Sequence, residues 1–227
     1  MAKPASRVSR TGGLCFDGVD DYVDCGNSPS LNTFNSITIL LWGMQRAWTG
    51  GRDAWALDKD STGYRIWGAD RHVVLFRSPT QSWHGVDAGV VPYLNTWYHL
   101  AGVYDADAMK IKLYRNGVLV AEAASPERLK FSTYPTNLRL ARHSVAARFY
   151  PIIIDEVRIY NRALSSYEIS EIYTKGTFIK DGLVLYLPFH EGEGNIAHDV
   201  SGYGNHGTIY GAQWVVKKAL RVLPKAR

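Results

Sequence analysis

Short strand-like segments separated by turn residues recur along the chain, and this pattern limits its possible folds more than any other feature. Ser36–Trp42 is apolar with almost no alternation, which is typical of a strand buried on both faces. Lys110–Tyr114 alternates lysines with apolar residues, so one of its faces contacts water. Asn116-Gly117 then supplies the positive φ angles of a tight hairpin. Roughly a dozen such segments predict an all-β fold, either a two-sheet antiparallel sandwich or a jelly roll.

One short helix is expected after most of these strands. Ser165 and Glu168 have the spacing of a capping box, in which a serine hydroxyl and a glutamate three residues later each accept a hydrogen bond from the other's free amide. Gly176 is placed to end the helix. Apolar residues at helical spacing share one face between these two signals: Ile169, Ile172 and Tyr173.

Length and composition indicate a single soluble domain. The 227 residues are 46% hydrophobic and 21% charged, which is ordinary for a globular protein. No apolar run approaches the roughly 18 residues of a membrane helix, and the first residues show no apolar segment of a secretory signal. Cys15 and Cys25 are too few for a disulfide scaffold or a four-cysteine zinc site, and we expect both to be reduced.

Positive charge is concentrated at the two ends of the chain. Residues 1–13 carry +3 and residues 215–227 carry +5, so the formal net charge of +5 leaves −3 on the body. Such ends suit an acidic partner, namely nucleic acid, an anionic polymer or an acidic protein surface, although ends that only aid solubility have the same composition. The residues predicted to act as assembly tails are Lys3, Arg7, Arg10, Lys217, Lys218, Arg221, Lys225 and Arg227.

Four stretches of the sequence carry a family resemblance: Phe16–Asp24, Asn95–Gly102, Tyr114–Gly117 and Ile154–Ser165. In this order they are similar to stretches of the laminin-G-like and pentraxin-like jelly rolls of the concanavalin A-like lectin/glucanase group. The resemblance covers about residues 12–176. It implies an antiparallel jelly roll with one short helix.

Residues 181–214 resemble the opening strands of bacterial members of this group, although here they follow the helix. These strands carry apolar faces and unpaired backbone groups, so a sheet must accept them. Either the domain is circularly permuted and the segment folds back beside the N-terminal hairpin, or the segment completes a neighbouring copy's sheet. Both arrangements give a basic arm over 1–13, one domain over 14–214 with its main body over 14–176, and a basic tail over 215–227.

Catalysis is not expected from this sequence. The resemblance extends to glycosidases, which need two carboxylates flanking the scissile bond and in this group usually present them as Glu-x-Asp-x-x-Glu on one strand. No such string occurs. Asp155 and Glu156 are adjacent and so point to opposite sides of a strand, and Glu191-x-Glu193 lies in a glycine-rich turn. We therefore predict no enzyme activity and no cofactor.

No metal site is assigned from the sequence, but many relatives bind calcium, and a calcium site of the laminin-G type stays an alternative to the absence of a cofactor. Oxygen-rich candidates are Asp20-Asp21, Asp58-x-Asp60 and Asp105-x-Asp107, but turn acids of this kind usually cap their own backbone. The stretch that matches the acidic calcium loop of pentraxins, Leu140–Arg148, is basic. We expect a structural role for three evenly spaced histidines: His190, His198 and His206.

Tryptophans in turn-rich segments are the candidate ligand contacts. Aromatic faces beside polar groups can stack on sugar rings or bind another protein, although indoles that fill the rim of the sandwich would have the same pattern. The predicted ligand-binding residues are Trp48, Trp55, Trp67, Trp83, Arg52 and His84.

These features favour a non-catalytic lectin-like module for structure or assembly, whose tails and terminal strands engage neighbouring subunits. A virion surface or capsid decoration protein is its most concrete form, made in the cytoplasm and located on the virion or another extracellular surface without a classical signal peptide. The alternative is a carbohydrate-binding adhesion domain, and a glycoside hydrolase is a weaker alternative. Expected partners are further copies or other structural subunits, a glycan, and an acidic partner for the tails.

Overall fold

The structure is a computed structural model that describes residues 12–32, 34–50, 54–59, 63–68, 70–78, 82–129, 136–216 and 221–222. Most of the residues predicted to act as assembly tails lie outside these ranges, and only the backbone of Arg221 is described. The tail hypothesis therefore stays a prediction.

Nine of the described strands form one antiparallel sheet around a long central strand. The central strand β12 (Ile152–Tyr160) pairs with β3 (Ile37–Gln45) along one edge. Along its other edge it pairs first with β1 (Leu14–Cys15) and then with β13 (Leu183–Leu187). The remaining strands continue the sheet outward: β8 (Tyr98–Asp105), β9 (Lys110–Arg115) and β10 (Val118–Ala124) beyond β3, and β16 (Gln213–Val216) and β17 (Arg221–Val222) beyond β1.

Eight further described strands form the second sheet, so the predicted two-sheet sandwich is confirmed. A 3-10 turn at Pro29–Leu31 precedes β3 in the chain. All the pairings are antiparallel. The strand order is β14 (Ile196–Ala197), β15 (Gly207–Tyr210), β2 (Tyr22–Asp24), β11 (Arg139–Leu140), β4 (Trp55–Lys59), β5 (Tyr64–Gly68), β6 (Arg71–Arg77) and β7 (Trp83–Asp87).

The main core lies between the two sheets, and a glycine allows one large side chain to cross it. Trp67 is fully buried and reaches the nine-stranded sheet at Gly43. A Cβ at Gly43 would lie only 2.4 Å from the Trp67 ring, which is closer than real side chains approach. The close contact therefore requires glycine on that strand.

Helix α1 (Ser166–Lys175) is the short helix that the capping signals predicted, and it packs on the outer face of the nine-stranded sheet. The Ser165 hydroxyl accepts a hydrogen bond from Glu168 N, and the Glu168 carboxylate accepts one from Ser165 N. Gly176 ends the helix with a φ of 66°. The buried face of the helix, with Ile169 and Ile172, packs on strand and loop residues that include Leu40, Val103 and Leu164.

The C-terminal strands pair beside the N-terminal ones within the same chain. β13 pairs with β12, β15 pairs with β2, and β16 pairs with β1. Because β1 and β2 belong to different sheets, the consecutive strands β15 and β16 contribute one strand to each sheet. This topology brings Tyr210, near the end of the chain, next to Tyr22, near its start.

Candidate functional site

Alternating charges cross the outer face of the eight-stranded sheet, the face turned away from the core. In register on four adjacent strands lie Asp24, Arg139, Asp58 and Arg65, which we call the charged row. Their strand neighbours Val23, Leu140, Leu57 and Ile66 are buried in the core. Since successive side chains of a strand point to opposite faces, the charged side chains point outward.

Two ion pairs neutralise the charged row, and they differ in burial. Arg139 Nε lies 3.1 Å from Asp24 Oδ2, and both side chains are about one-fifth exposed. Arg65 Nε lies 3.2 Å from Asp58 Oδ1, with 5% and 0% of the side chains exposed. Asn137 Nδ2 also donates to both oxygens of Asp24. The outer pair can therefore reach a ligand, whereas the inner pair is structural.

A small hairpin formed by residues 141–149, the Arg142 loop, covers the middle of the charged row. Ser144 N donates to Asp58 Oδ2 at 2.7 Å, and Arg139 Nη1 donates to Ser144 O. The His143 side chain, which is nearly buried, lies 3.7 Å from Asp58. The loop separates the part of the outer face on β2 and β15 from the part on β5 to β7.

Two tyrosines on the first part stack face to face, and we call this pair the tyrosine platform. Tyr22 and Tyr210 are register partners on β2 and β15, with ring centroids 4.5 Å apart and an interplanar angle of 11°. Tyr210 is 46% exposed. The guanidinium of Arg142 lies 4.6 Å from the Tyr22 centroid and 5.3 Å from that of Phe149. The platform combines an open ring face with a nearby cation.

The second part of the outer face contains Trp83 on edge strand β7. The Arg65 guanidinium lies 4.0 Å from the Trp83 ring and 4.8 Å from the Trp55 ring. Arg77 is 5.3 Å from Trp83. The neighbouring His84 Nε2 lies 3.3 Å from Glu127 Oε1. Trp83 and His84 are partly exposed, but arginines already occupy part of the indole surface.

The other predicted ligand contacts are buried, lie away from the charged row, or fall outside the described residues. Trp48 is 50% exposed but lies in the turn after β3, away from the row. Contrary to the prediction for them, Trp55 and Trp67 are buried, so neither presents a ring face to a ligand. Trp67 packs edge-on against His72, whose pKa is lowered by burial to about 3, so this histidine stays neutral. Arg52 lies outside the described residues.

Among the acid pairs considered for calcium, Asp20 and Asp21 come together with Asp17. Oxygens of these three carboxylates lie within 4.8 Å of one another. Two of the carboxylates also serve the turn itself: Asp17 Oδ1 accepts from Val19 N, and Asp21 Oδ2 accepts from Asp17 N. The group could hold a cation, although its hydrogen bonds are those of an ordinary acidic turn.

The other acid pairs have different positions. Asp58 belongs to the charged row, and Asp60 lies outside the described residues. Asp105 caps a turn, because its Oδ1 accepts from the amides of Asp107 and Ala108.

Two of the three histidines of the C-terminal segment, His198 and His206, belong to a structural network, whereas His190 is exposed. His206 Nδ1 accepts from Asp199 N, and the His198 and His206 rings are 5.4 Å apart. The Asp199 carboxylate in turn accepts backbone amides of Tyr186 and Asn205. These contacts hold the segment before β15 in place.

The carboxylates near the outer face are poorly arranged for glycosidase chemistry. Asp24 and Asp58 are each paired with an arginine, and Asp58 is fully buried, so it cannot contact a substrate. Asp155 is also buried on the other sheet, while Glu156, at φ 49°, pairs with Arg158 Nη2 at 3.1 Å. A general acid and a nucleophile must both reach the scissile bond, and these pairs do not.

A family profile decides the fold family. The profile of the concanavalin A-like lectin/glucanases superfamily, of the laminin-G type, matches residues 17–170. The chain belongs to this superfamily. No curated protein matches the sequence. Within the described residues, no helix of this superfamily member combines the length and apolar character needed to cross a bilayer.

Solved structures share the superfamily fold at low sequence identity. A candidate carbohydrate-binding protein from Bacteroides ovatus is 18% identical with a TM-score of 0.73, and the match covers 96% of this chain and 62% of that one. A pentraxin from Limulus polyphemus is 10% identical with a TM-score of 0.61, covering 94% and 99%. The binding domain of Paraclostridial Mosquitocidal Protein 1 is 17% identical with a TM-score of 0.56, covering 75% and 47%. The chain thus spans less than two thirds of the Bacteroides ovatus chain and about half of the mosquitocidal chain.

Sequence reasoning missed the tyrosine platform and the arginines around it. Tyr22 lies inside a stretch used for the family resemblance, and Arg139 and Arg142 lie in or beside the basic stretch that replaces an acidic calcium loop. That basic stretch was the available signal. It indicated what the loop does not bind, and the structure shows which ring its arginines approach.

Proposed function

We propose that the chain is a non-catalytic glycan-binding domain and that sugars bind on the tyrosine platform. The observation that carries this proposal is the parallel stack of Tyr22 and Tyr210, with Tyr210 46% exposed at the outer face. Aromatic surface beside a few fixed polar groups is typical of ligand-binding sites.

The chemistry of the platform suits a sugar ring. One face of a pyranose carries several C–H groups and packs on the flat face of an aromatic ring, while the hydroxyls at its edge need hydrogen-bond partners. Asp24 and Arg139, each about one-fifth exposed and adjacent to the platform in the charged row, offer an acceptor and a donor. Both are fixed by their mutual ion pair, so binding costs little ordering.

Trp83 offers a second contact for a long ligand. Five strand steps separate β2 from β7, which corresponds to roughly 24 Å at the spacing of neighbouring strands. An extended oligosaccharide of several units could contact both places. The similarity in fold to a candidate carbohydrate-binding protein supports the same class of ligand.

A glycan array with the whole chain tests the proposal. We expect binding to a defined set of glycans, and we expect Tyr210→Ala to reduce it at least tenfold because the open ring face is lost. Tyr203→Ala is the matched control, since Tyr203 is also exposed (55%) but lies in the loop before β15. Trp83→Ala should weaken the binding of long glycans and leave the binding of short ones unchanged. An array without any binding, or equal loss in the two tyrosine variants, would refute the proposal.

Assembly is a second candidate function, favoured by the edge of the nine-stranded sheet. Strand β10 ends the sheet, and Val118 and Leu119 on it are 64% and 45% exposed. An apolar edge strand is a template for pairing with another copy. In this proposal the domain is a structural subunit, of which a virion surface protein is the most concrete form.

Light scattering tests assembly. The whole chain should form a higher oligomer, and removing residues 1–11 and 217–227 should dissociate it while keeping Val215, which is buried. Leu119→Lys should act in the same direction by blocking the edge. A monomer in the whole chain, or an oligomer unchanged by all three alterations, would contradict assembly.

A further inference from the structure

Arg142 is a cation beside the tyrosine platform, and no carboxylate of the described residues forms an ion pair with it. In the described part of the chain its Nε is buried and has no hydrogen-bond partner. Its contacts are the ring faces of Tyr22 and Phe149. Asp24, the outer acid of the charged row, is already engaged by Arg139, by Asn137 Nδ2 and by Gly26 N.

The Arg142 loop holds this guanidinium in position. His143 N donates to Arg148 O and Tyr150 N donates to Ala141 O, which closes the loop into a hairpin. Arg142 and Phe149 are bridge partners across it, so their side chains project together toward Tyr22. A guanidinium fixed by aromatic contacts loses little freedom when it binds an anion.

The acid next to Tyr22 in sequence does not compensate this charge. Asp21 is buried, with 1% of its surface exposed, and its Oδ2 accepts from Asp17 N. Its side chain also points to the opposite side from Tyr22, because neighbouring residues of an extended segment alternate. The Arg142 loop itself, residues 141–149, contains two arginines and no acid.

We infer that the platform binds a sugar that carries an oxyanion, either a carboxylate or a sulfate, and that Arg142 recognises the anionic group while the sugar ring packs on the tyrosines. This inference rests on the proposed glycan-binding function. A guanidinium matches such an oxyanion with two parallel N–H···O bonds, which gives both affinity and selection against neutral sugars.

The test is an array of paired probes presented to the whole chain. Uronic-acid and sialic-acid oligosaccharides are placed beside their carboxyl-reduced forms, and sulfated oligosaccharides beside their desulfated forms. We expect at least one anionic probe to bind about tenfold or more tightly than its neutral form, and the two sets of pairs distinguish carboxylate from sulfate. The preference should shrink as the salt concentration rises.

Arg142→Gln should abolish the anionic preference, so that each anionic probe binds no more tightly than its neutral form. Arg148→Gln is the matched control, because it removes the same charge from the same loop at an exposed position. Arg142→Lys keeps the charge but lacks the paired N–H donors of the guanidinium, so the preference for the anionic probe should fall several-fold. This variant carries the test if Arg142→Gln does not fold, as judged by its melting curve.

The outcomes separate the two proposals. Equal binding of anionic and neutral forms, equal effects of Arg142→Gln and Arg148→Gln, or an unchanged preference in Arg142→Lys would overturn the role of Arg142 and leave glycan binding intact. An absence of binding to every probe, neutral and anionic, would overturn glycan binding and this inference together.

Discussion

The outer faces of the two sheets differ in how their side chains are covered. On the nine-stranded sheet the outer face carries an apolar cluster, which α1 covers with Ile169 and Ile172, and its outer strands carry the ion pair of Lys110 and Glu122. On the eight-stranded sheet the outer face carries ion pairs and aromatic rings, and among the described segments the Arg142 loop crosses it. The apolar cluster of the first face is covered by the chain itself, whereas the described part of the second face remains partly open.

This difference shows where the chain can bind a ligand without losing stability. Apolar outward side chains need a cover, so the helix cannot be displaced without exposing a cluster that includes Tyr160 and Leu183. Paired charges tolerate water, so the eight-stranded sheet can leave part of its surface free. The predictions below test that contrast.

The largest loss of stability is expected at the buried ion pair of the eight-stranded sheet, between Asp58 and Arg65. Asp58→Asn leaves the Arg65 guanidinium buried without its carboxylate, and we expect the free energy of unfolding to fall by about 4 kcal/mol. Asp24→Asn is the control, because its pair with Arg139 is partly exposed and the loss should be about 1 kcal/mol. Urea denaturation measures both. Equal losses would show that burial does not distinguish the two pairs.

The closed face should depend on the apolar contacts of the helix. Ile172→Ala removes a side chain that is 1% exposed and leaves a cavity against the sheet, so we expect a loss of about 3 kcal/mol. Tyr167→Ala, on the exposed side of the same helix (71%), should change the free energy of unfolding by less than about 0.5 kcal/mol. A small effect of Ile172→Ala in urea denaturation would mean that the helix does not close the sheet.

The stabilisation that the N-terminal capping box of α1 provides should be sensitive to acid. Hydrogen bonds from Arg162, followed by those from Ser165, lower the pKa of Glu168 from 4.5 to about 2, despite some opposing desolvation. Because the folded-state pKa is depressed, this stabilisation is present above about pH 4.5 and is lost as the pH falls toward 2. Melting temperatures measured across this window should therefore fall less steeply in Glu168→Gln than in the parent chain. Parallel curves would contradict the depressed pKa.

The smallest effect on stability is expected at the tyrosine platform. Tyr210 is 46% exposed, so Tyr210→Ala should reduce the free energy of unfolding by less than about 1 kcal/mol even though it removes the open ring face. Thermal and urea unfolding of the variant measure this. A loss as large as that of Ile172→Ala would mean that Tyr210 is mainly a packing residue.

Much of the fold could be predicted because its signals are local. The hairpin at Asn116 and Gly117 has the expected positive φ angles of 52° and 77°, and the helix lies between the predicted capping box and Gly176. These signals depend on residues only a few positions apart. They therefore do not require knowledge of which strands become neighbours.

The site depends on contacts that local signals cannot show. Tyr22 and Tyr210 lie near opposite ends of the sequence and meet only because β15 pairs with β2. Trp67 was a candidate ligand contact because it lies beside a turn, but its φ is 55° and the absence of a side chain at Gly43 leaves room for its ring in the core. The burial of Trp67 depends on Gly43 in the opposite sheet, so the sequence pattern of its own strand could not reveal that burial.

The most direct test of the central claim is a 1H–15N NMR titration of the whole chain with the tightest glycan from the array. Our account predicts that the largest shift changes fall on β2, β15 and the Arg142 loop, with Tyr22, Tyr210 and Arg142 among the affected amides. Changes centred instead on the turn around Trp48 or on α1, with β2 and β15 unaffected, would contradict it.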